Sequence, residues 1–385
     1  MTDRGFSVDE FRARVSRAQT LMAAADLSAL LLTTEPEVRY YTGFLTSFWL
    51  SPTRPWYVVM PQAGTPIAII PAIGERLMAD TWVKDIRTWD APDYDDDGIG
   101  LLAEALREVT PRGARIGVAH HMESHLRMPL ADFDRLRDSL KQRQIVPDAA
   151  ITRRLRMVKS AAERAKIQCA CVLADHTFSR MAEIAGPGRP LDEVFRAFQR
   201  AALEEGADQI PYLAGSAGVG GYLDVISPAT ETPLAAGDVL MLDTGVMWDG
   251  YFCDFNRNFS LGAPPAEVAD AHKRLIEATQ VGFDAAQPGA RISDIYHAMA
   301  ACLRNPDGSV LPGRFGHGLG MQLTEWPSII ASEHCEIFEG TILTLEPSLS
   351  LAGGRLMVHE EDIAVARNGP VYLSTPQRPD ITVIA

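Results

Sequence analysis

LDTGVMWDGYFCDFNRNF, residues 242–259, decides how this chain is read. Apolar residues flank Asp249-Gly250, a pair suited to left-handed backbone and tight turns, so the stretch predicts a hairpin with strands at Val239–Thr244 and Gly250–Phe259. Asp243 and Asp254 lie eleven residues apart, one on each strand, where a hairpin can set two carboxylates side by side. Leu242 and Phe252 argue that these strands are buried, and a buried carboxylate without a partner is costly.

Three residues further along suit the same chemistry. His317 sits in RFGHGLGMQLTEWP, 314–327, between glycines expected to let a cation approach the imidazole. Glu346 in TLEPSL precedes Pro347, which predicts an end to regular strand pairing within Ile342–Leu349. Glu360 in MVHEEDIAV is expected on the second strand, Arg355–Ala366, of a hairpin turning at Ala352-Gly353-Gly354. Four carboxylates and one imidazole form an oxygen-rich donor set that favours Mn, Fe, Co or Zn over a thiolate-type structural site, and carboxylates can bridge two cations. The chain reads as a metal-dependent enzyme.

Composition narrows the alternatives. At 385 residues the chain is long enough for two or three domains. Lys and Arg number 36 against 50 Asp and Glu, a net charge of −14 that argues against a nucleic-acid partner. No run approaches the roughly 20 apolar residues of a membrane helix, and MTDRGFSVDEFRARV lacks a signal-peptide core. Five cysteines without a CxxC pair read as small buried hydrophobes in a reducing compartment, so a cytoplasmic protein is expected.

The first part of the chain alternates elements: helices at Val8–Ala25, Gly98–Val109 and Pro129–Leu140, and strands at Ala29–Thr33, Trp56–Met60, Pro66–Ile70 and Arg115–Ala119. This is a three-layer α/β pattern. Ser160, with Glu163 three residues on, marks a capping box where a new helix starts. Beyond it, ligand-bearing strands separated by helices Leu191–Glu205, Ala266–Gln287 and Ile292–Leu303 read as α+β, with domains at 1–153 and 154–385.

The ordered series DTG, Asp254 within DFNRNF, GHGLG, LEPSL and HEEDIAV resembles the creatinase, prolidase and methionine aminopeptidase superfamily, the pita-bread fold. The similarity covers about residues 154–370, including the RxxKS step at Arg156, Lys159 and Ser160. It implies an N-terminal creatinase-like α/β domain followed by a pita-bread catalytic domain that holds two divalent cations on Asp243, Asp254, His317, Glu346 and Glu360. Glu361 rivals Glu360 for the last place, although the spacing from Glu360 to the strand end fits the family better. The resemblance makes Arg257 a residue that steadies the ligand carboxylates and Glu346, with Asp254, the catalytic acids. The implied reaction is attack of a metal-bound hydroxide on an amide C–N bond, as in Xaa-Pro peptidases, in a homodimer.

The chain also departs from that family. Peptidases of this kind carry two substrate-side histidines, and here the corresponding positions are Ile226 and Thr324. Their absence removes oxyanion donors and keeps a second reading open, a non-peptidase hydrolase or lyase resembling ectoine hydrolase or the dimethylsulfoniopropionate lyase. Candidates to line the substrate pocket are Trp49 and Arg54 in SFWLSPTRPW, and Tyr222, Thr324 and His359. In related dimers the N-terminal domain reaches the partner's cleft, where Arg54 would hold a substrate carboxylate.

Overall fold

The computed structural model describes residues 3–304 and 308–385. They form two compact units, Asp3–Arg156 and Met157–Ala385, each with its own core.

In the first unit, runs such as ALLL, YVVMP and IAIIP are buried at every position, as strands covered on both faces must be. Its six strands are β1 (Ala29–Leu32), β2 (Tyr57–Pro61), β3 (Ile67–Pro71), β4 (Asp85–Trp89), β5 (Arg115–Val118) and β6 (Gln144–Pro147), in the order β4-β3-β2-β1-β5-β6. The sheet is mixed: β1 pairs antiparallel with β2 and parallel with β5. Ala29, Leu31, Tyr57 and Val59 on one face meet Leu102 and Leu106 of helix Ile99–Val109 and Leu136 of helix Leu130–Ser139. The segment Val38–Tyr41 belongs to a helix, Glu35–Thr42, opened by a Thr34/Glu37 capping box.

The second unit is built on two sheets and a hairpin. Strands β7 (Gln209–Val219), β8 (Asp238–Trp248), β9 (Tyr251–Phe252) and β10 (Phe255–Leu261) join the last strand, β18 (Thr382–Ile384), in the order β18-β10-β8-β7, with β9 paired to β8. The second sheet runs β12-β11-β13-β16-β17, from β11 (His317–Gly318), β12 (Glu325–Ser328), β13 (Ile342–Leu345), β16 (Glu361–Ala366) and β17 (Gly369–Tyr372). β14 (Ser348–Leu351) and β15 (Arg355–Val358) pair by themselves. Helix Ala161–Ser179 starts at the Ser160/Glu163 capping box, and Phe178 near its end meets Phe198 and Phe255 at ring separations of 5.0 and 5.6 Å. Helices Ala266–Ala285 and Ile292–Cys302 bury Leu275, Ile295 and Met299 in a core shared with Met241, Leu343 and Ile363. The architecture is the α+β one expected.

Three strands expected to be continuous are broken, and each break falls at a candidate ligand. Between β9 and β10, the Asp254 N–H leaves the ladder for the Asp362 carboxylate at 2.9 Å. Between β13 and β14, Pro347 has no N–H to give and the Glu346 N–H turns to the Phe315 carbonyl at 3.0 Å. Between β15 and β16, the His359 N–H reaches the Pro347 carbonyl at 3.1 Å, so Glu360 lies beyond the second hairpin strand rather than on it. The long strand β7 was not anticipated. Its sequence QIPYLAGSAGV is poor in β-branched residues, and Pro211 falls where its pairing with β8 shifts register.

Candidate metal centre

β8 carries Asp243 opposite Ala214 of β7 and Asn256 of β10, near its middle. The Tyr212 hydroxyl donates to Asp243 Oδ2 at 3.1 Å, fixing one oxygen and leaving the buried Oδ1 without a hydrogen-bond partner. At the turn between β8 and β9, Asp249 and Gly250 both have positive φ, 46° and 73°, as a tight hairpin needs. The hairpin therefore forms as expected, but Asp254 sits in the break beyond it and not across from Asp243.

His317 opens β11. Its Nδ1 lies 2.8 Å from the Gly318 carbonyl, which only accepts, so the proton is on Nδ1 and Nε2 is free to ligate. The neighbouring glycines answer to packing rather than cation access. A Cβ on Gly316, at φ +139°, would collide with the Thr344 carbonyl, and one on Gly318 would lie 2.7 Å from that of Trp326. Glu325 closes the loop after His317 by accepting the Met321 N–H at 2.8 Å and pairing with Lys159 Nζ at 3.1 Å, both side chains buried.

The donor atoms of Asp254, His317 and Glu360 all lie within 4.8 Å of one another, with His317 Nε2 at 3.3 Å from Asp254 Oδ2. Asp243 and Glu346 border this group and are half-buried. Glu360 Oε1 is buried and has no hydrogen-bond partner. Glu346 Oε1 receives Arg314 Nε at 2.9 Å.

Burial pushes up all four carboxyls. The charges of neighbouring acids add to this at Asp243, Asp254 and Glu360, and Asp243 is carried up to about 7. Burial, then the nearby Arg314 cation, lowers His317 to about 3, so its imidazole is neutral. A ring of acids that repel one another, with two orphaned oxygens and a neutral imidazole, lacks positive charge at its centre. Divalent cations fit that donor set.

Glu361 faces elsewhere. Burial alone would raise its carboxyl, but Arg257, His359 and Ser374 together hold it below its usual range. Arg257 donates to Glu361 Oε2 at 3.0 Å and to the Glu360 carbonyl at 3.1 Å, so it steadies the backbone beneath Glu360 rather than a ligand carboxylate.

The expected pocket residues divide. Tyr222 is 1% exposed, and its hydroxyl donates to Asn258 Oδ1 at 3.1 Å while accepting the Val358 N–H at 2.6 Å, which spends its only proton inside the core. His359 is also buried, with Nε2 on Glu361 Oε1 at 3.2 Å. Both are core residues, a correction to their reading as pocket groups. Trp49 packs against Trp56 inside the first unit, and Arg54 lies over the Phe48 ring at 5.3 Å in the same unit. Thr324 accepts Arg314 Nη2 at 3.4 Å. Two residues that the sequence reading passed over matter here: Asp362, which holds the Asp254 backbone, and Arg314, which bonds Glu346. Nothing marked Asp362 beyond its place in an acidic triplet, whereas Arg314 stands three residues before His317.

Comparison with known proteins places the chain in a family. Over 382 residues the chain is 26% identical to the probable dipeptidase PepE of Mycobacterium tuberculosis, covering 97% of each. Its structure is similar to that of dipeptidase PepE from Mycobacterium ulcerans, with a TM-score of 0.85, 25% identity and 99% of each chain covered. It also shares the fold of a prolidase from Thermococcus sibiricus, with a TM-score of 0.86 and 21% identity over 98% of this chain and 100% of that one. Residues 14–158 match the creatinase/prolidase N-terminal domain, and residues 165–368 match metallopeptidase family M24. With more than half of its length accounted for by that catalytic domain, the chain belongs to metallopeptidase family M24, the metal-dependent hydrolases of the creatinase and prolidase superfamily.

Proposed function

We propose that this protein is a dinuclear metal-dependent hydrolase that cleaves the C–N bond of a dipeptide, with Asp243, Asp254, His317, Glu346 and Glu360 holding the cations. The observation that carries the reading is the group of four acids raised by burial around a neutral imidazole, with Asp243 Oδ1 and Glu360 Oε1 unpartnered. The dipeptidase relatives matched over nearly their whole length support the substrate class.

The divalent cations these residues would hold would supply Lewis acidity, acidifying a water molecule and polarising the scissile carbonyl. Glu346 is the group that moves a proton. Its Oε1 is engaged by Arg314, leaving Oε2 to take a proton from the attacking water and pass it to the departing amine. Asp254 is oriented through its backbone by Asp362, and Asp243 through Oδ2 by Tyr212. Glu360, with Arg257 holding its carbonyl, completes the set. The proposal extends to manganese as the working metal, which suits an oxygen-rich set, and to a cytoplasmic homodimer.

A second reading, a hydrolase or lyase acting on a small polar molecule, is favoured by the exposed Ile226 and by Thr324, neither of which carries an imidazole. Chelator-stripped protein reloaded with Mn²⁺ should bind two ions per chain by calorimetry and release amino acids from dipeptides such as Leu-Pro. Protein that takes up no divalent cation would defeat both readings. Loaded protein that leaves dipeptides intact but turns over cyclic amides or sulfonium zwitterions would decide for the second.

A further inference from the structure

One buried ion pair takes no part in the chemistry proposed above. Lys159 Nζ lies 3.1 Å from Glu325 Oε2, and the two side chains keep only 2% and 5% of their surface exposed. A pair this deep adds little net stability, because taking both charges out of water costs about as much as their attraction returns. Its use lies in what it holds. Glu325 Oε1 accepts the Met321 N–H at 2.8 Å and the Gln322 N–H at 3.2 Å, so the carboxylate closes the loop that follows His317. Lys159 is the cation that makes a buried carboxylate tolerable there. The fit is close: a Cβ on Gly320 would lie 2.8 Å from Glu325 Oε1 and 3.0 Å from Lys159 Cε.

The backbone around the pair reaches two further segments that carry candidate ligands. The Gly320 carbonyl accepts the Phe252 N–H at 2.8 Å, two residues before Asp254. The Lys159 N–H donates to the Gly340 carbonyl at 2.8 Å, and Val158 bridges Thr341, which leads into β13 and Glu346. We propose that Lys159 is a positioning residue: through Glu325 it sets the His317 loop against the segments bearing Asp254 and Glu346, and so fixes His317 Nε2 relative to their carboxylates before any cation arrives. The inference rests on the reading of these residues as cation ligands, but the placement of the loop belongs to the chain itself. Lys159 touches neither substrate nor cation in this account; it acts through Glu325 and the two amides that Glu325 holds.

The test uses the full chain as wild type, Lys159→Met, Glu325→Gln and the double variant, with Mn²⁺ affinity measured by calorimetry and amide hydrogen exchange measured on stripped protein. Lys159→Met keeps the bulk of the side chain and removes its charge, while Glu325→Gln keeps the oxygen that accepts the Met321 N–H. Each single variant should weaken Mn²⁺ binding by about 10–100-fold, the range for residues that orient metal ligands. The double variant should be no weaker than the worse single, because the two side chains act as a unit. Stripped Lys159→Met should exchange faster at residues 317–322 and at Phe252, while helix Ala266–Ala285 keeps its protection. Unchanged Mn²⁺ affinity with exchange raised everywhere would overturn the inference by reducing the pair to general stability, and additive losses in the double variant would overturn it by making the residues independent. If Lys159→Met does not fold, Glu325→Gln and the double variant decide: affinities within about twofold uphold the inference, and a larger further loss on removing Lys159 overturns it. If wild type takes up no Mn²⁺, the cation reading is what fails, and exchange decides the placement: faster exchange confined to 317–322 and Phe252 upholds it, and any other pattern overturns it.

Discussion

The backbone N–H of Asp254 is held by Asp362 Oδ2 at 2.9 Å, across the gap where β9 stops and β10 begins. That one bond takes the place of a ladder partner and turns the Asp254 side chain out of the strand alternation toward His317. The same Asp362 oxygen accepts the Cys171 thiol at 3.3 Å, and the carboxyl is fully buried.

Replacing Asp362 with Ala should therefore loosen Asp254 without removing any candidate ligand. Leaving the Asp254 N–H buried and unmet costs about 1–3 kcal/mol. The expected outcome for Asp362→Ala is a lower Tm together with weaker metal uptake, and Asp362→Asn, which keeps an acceptor, should recover most of both. Unfolding and metal titrations check this, and an Ala variant that matches wild type in metal affinity would show that the bond does not orient the ligand.

Removing a candidate ligand carboxylate should reduce the number of bound ions and not only their affinity. Asp254 and Glu346 are two of the five residues that would hold the cations, so Asp254→Ala or Glu346→Ala leaves too few donors for a pair. Elemental analysis of the loaded variants should give fewer than two ions per chain, with hydrolytic activity lost. Two ions retained in either variant would refute the assignment.

Much of this arrangement was legible from local chemistry. The Asp249-Gly250 turn and the Ser160/Glu163 capping box follow from conformational preferences that act over a few residues, and both appear where the sequence places them. The strand breaks at Asp254 and Glu360 were hidden, because an apolar strand pattern does not report which N–H groups leave the ladder for a distant partner. Only Pro347 announced its break. Tyr222 and His359 misled for a related reason: a polar aromatic looks available until tertiary packing buries it, as it does both here, with Tyr222 bonded to Asn258 and Val358 and His359 Nε2 to Glu361. Arg314 stood only three residues before His317, but its contact with Glu346, thirty-two residues away, could not be read from that spacing.

Metal removal should expose a pH dependence of known sign. The Asp243 carboxyl is raised from an ordinary 3.8 to about 7 in the folded chain, first by burial and then by Glu346, and Asp254, Glu346 and Glu360 shift the same way. A folded state that holds protons more tightly than the unfolded one loses relative stability as pH rises from about 4 through 7. His317, lowered from 6.5 to about 3, acts in the opposite sense over an overlapping range, but it is one group against four. Bound cations replace the protons and remove the penalty. The Tm difference between Mn-loaded and stripped protein should be larger at pH 8 than at pH 5; a difference that is equal, or larger at pH 5, would contradict the picture of acids held together only by cations.

The last expectation concerns rate. Ile226 is 78% exposed on its loop and carries no donor, and Thr324, whose oxygen accepts from Arg314, offers only a neutral hydroxyl, so neither position supplies the imidazole donor. Loss of one such donor lowers kcat by roughly 10²–10³-fold. Tyr222 and His359, the aromatic groups close in sequence, are buried, with Tyr222 bonded to Asn258 and Val358 and His359 Nε2 to Glu361. Turnover of Xaa-Pro dipeptides by the Mn-loaded protein should therefore stay below the ordinary enzyme range, with kcat/KM under about 10⁴ M⁻¹s⁻¹. Because the deficit arises in the transition state, it should appear in kcat while KM remains ordinary. Steady-state kinetics on a panel of Xaa-Pro dipeptides measures both. A kcat/KM at or above that value would mean that another group, with Arg314 the first to test, stabilises the oxyanion, and that the missing histidines do not limit this enzyme.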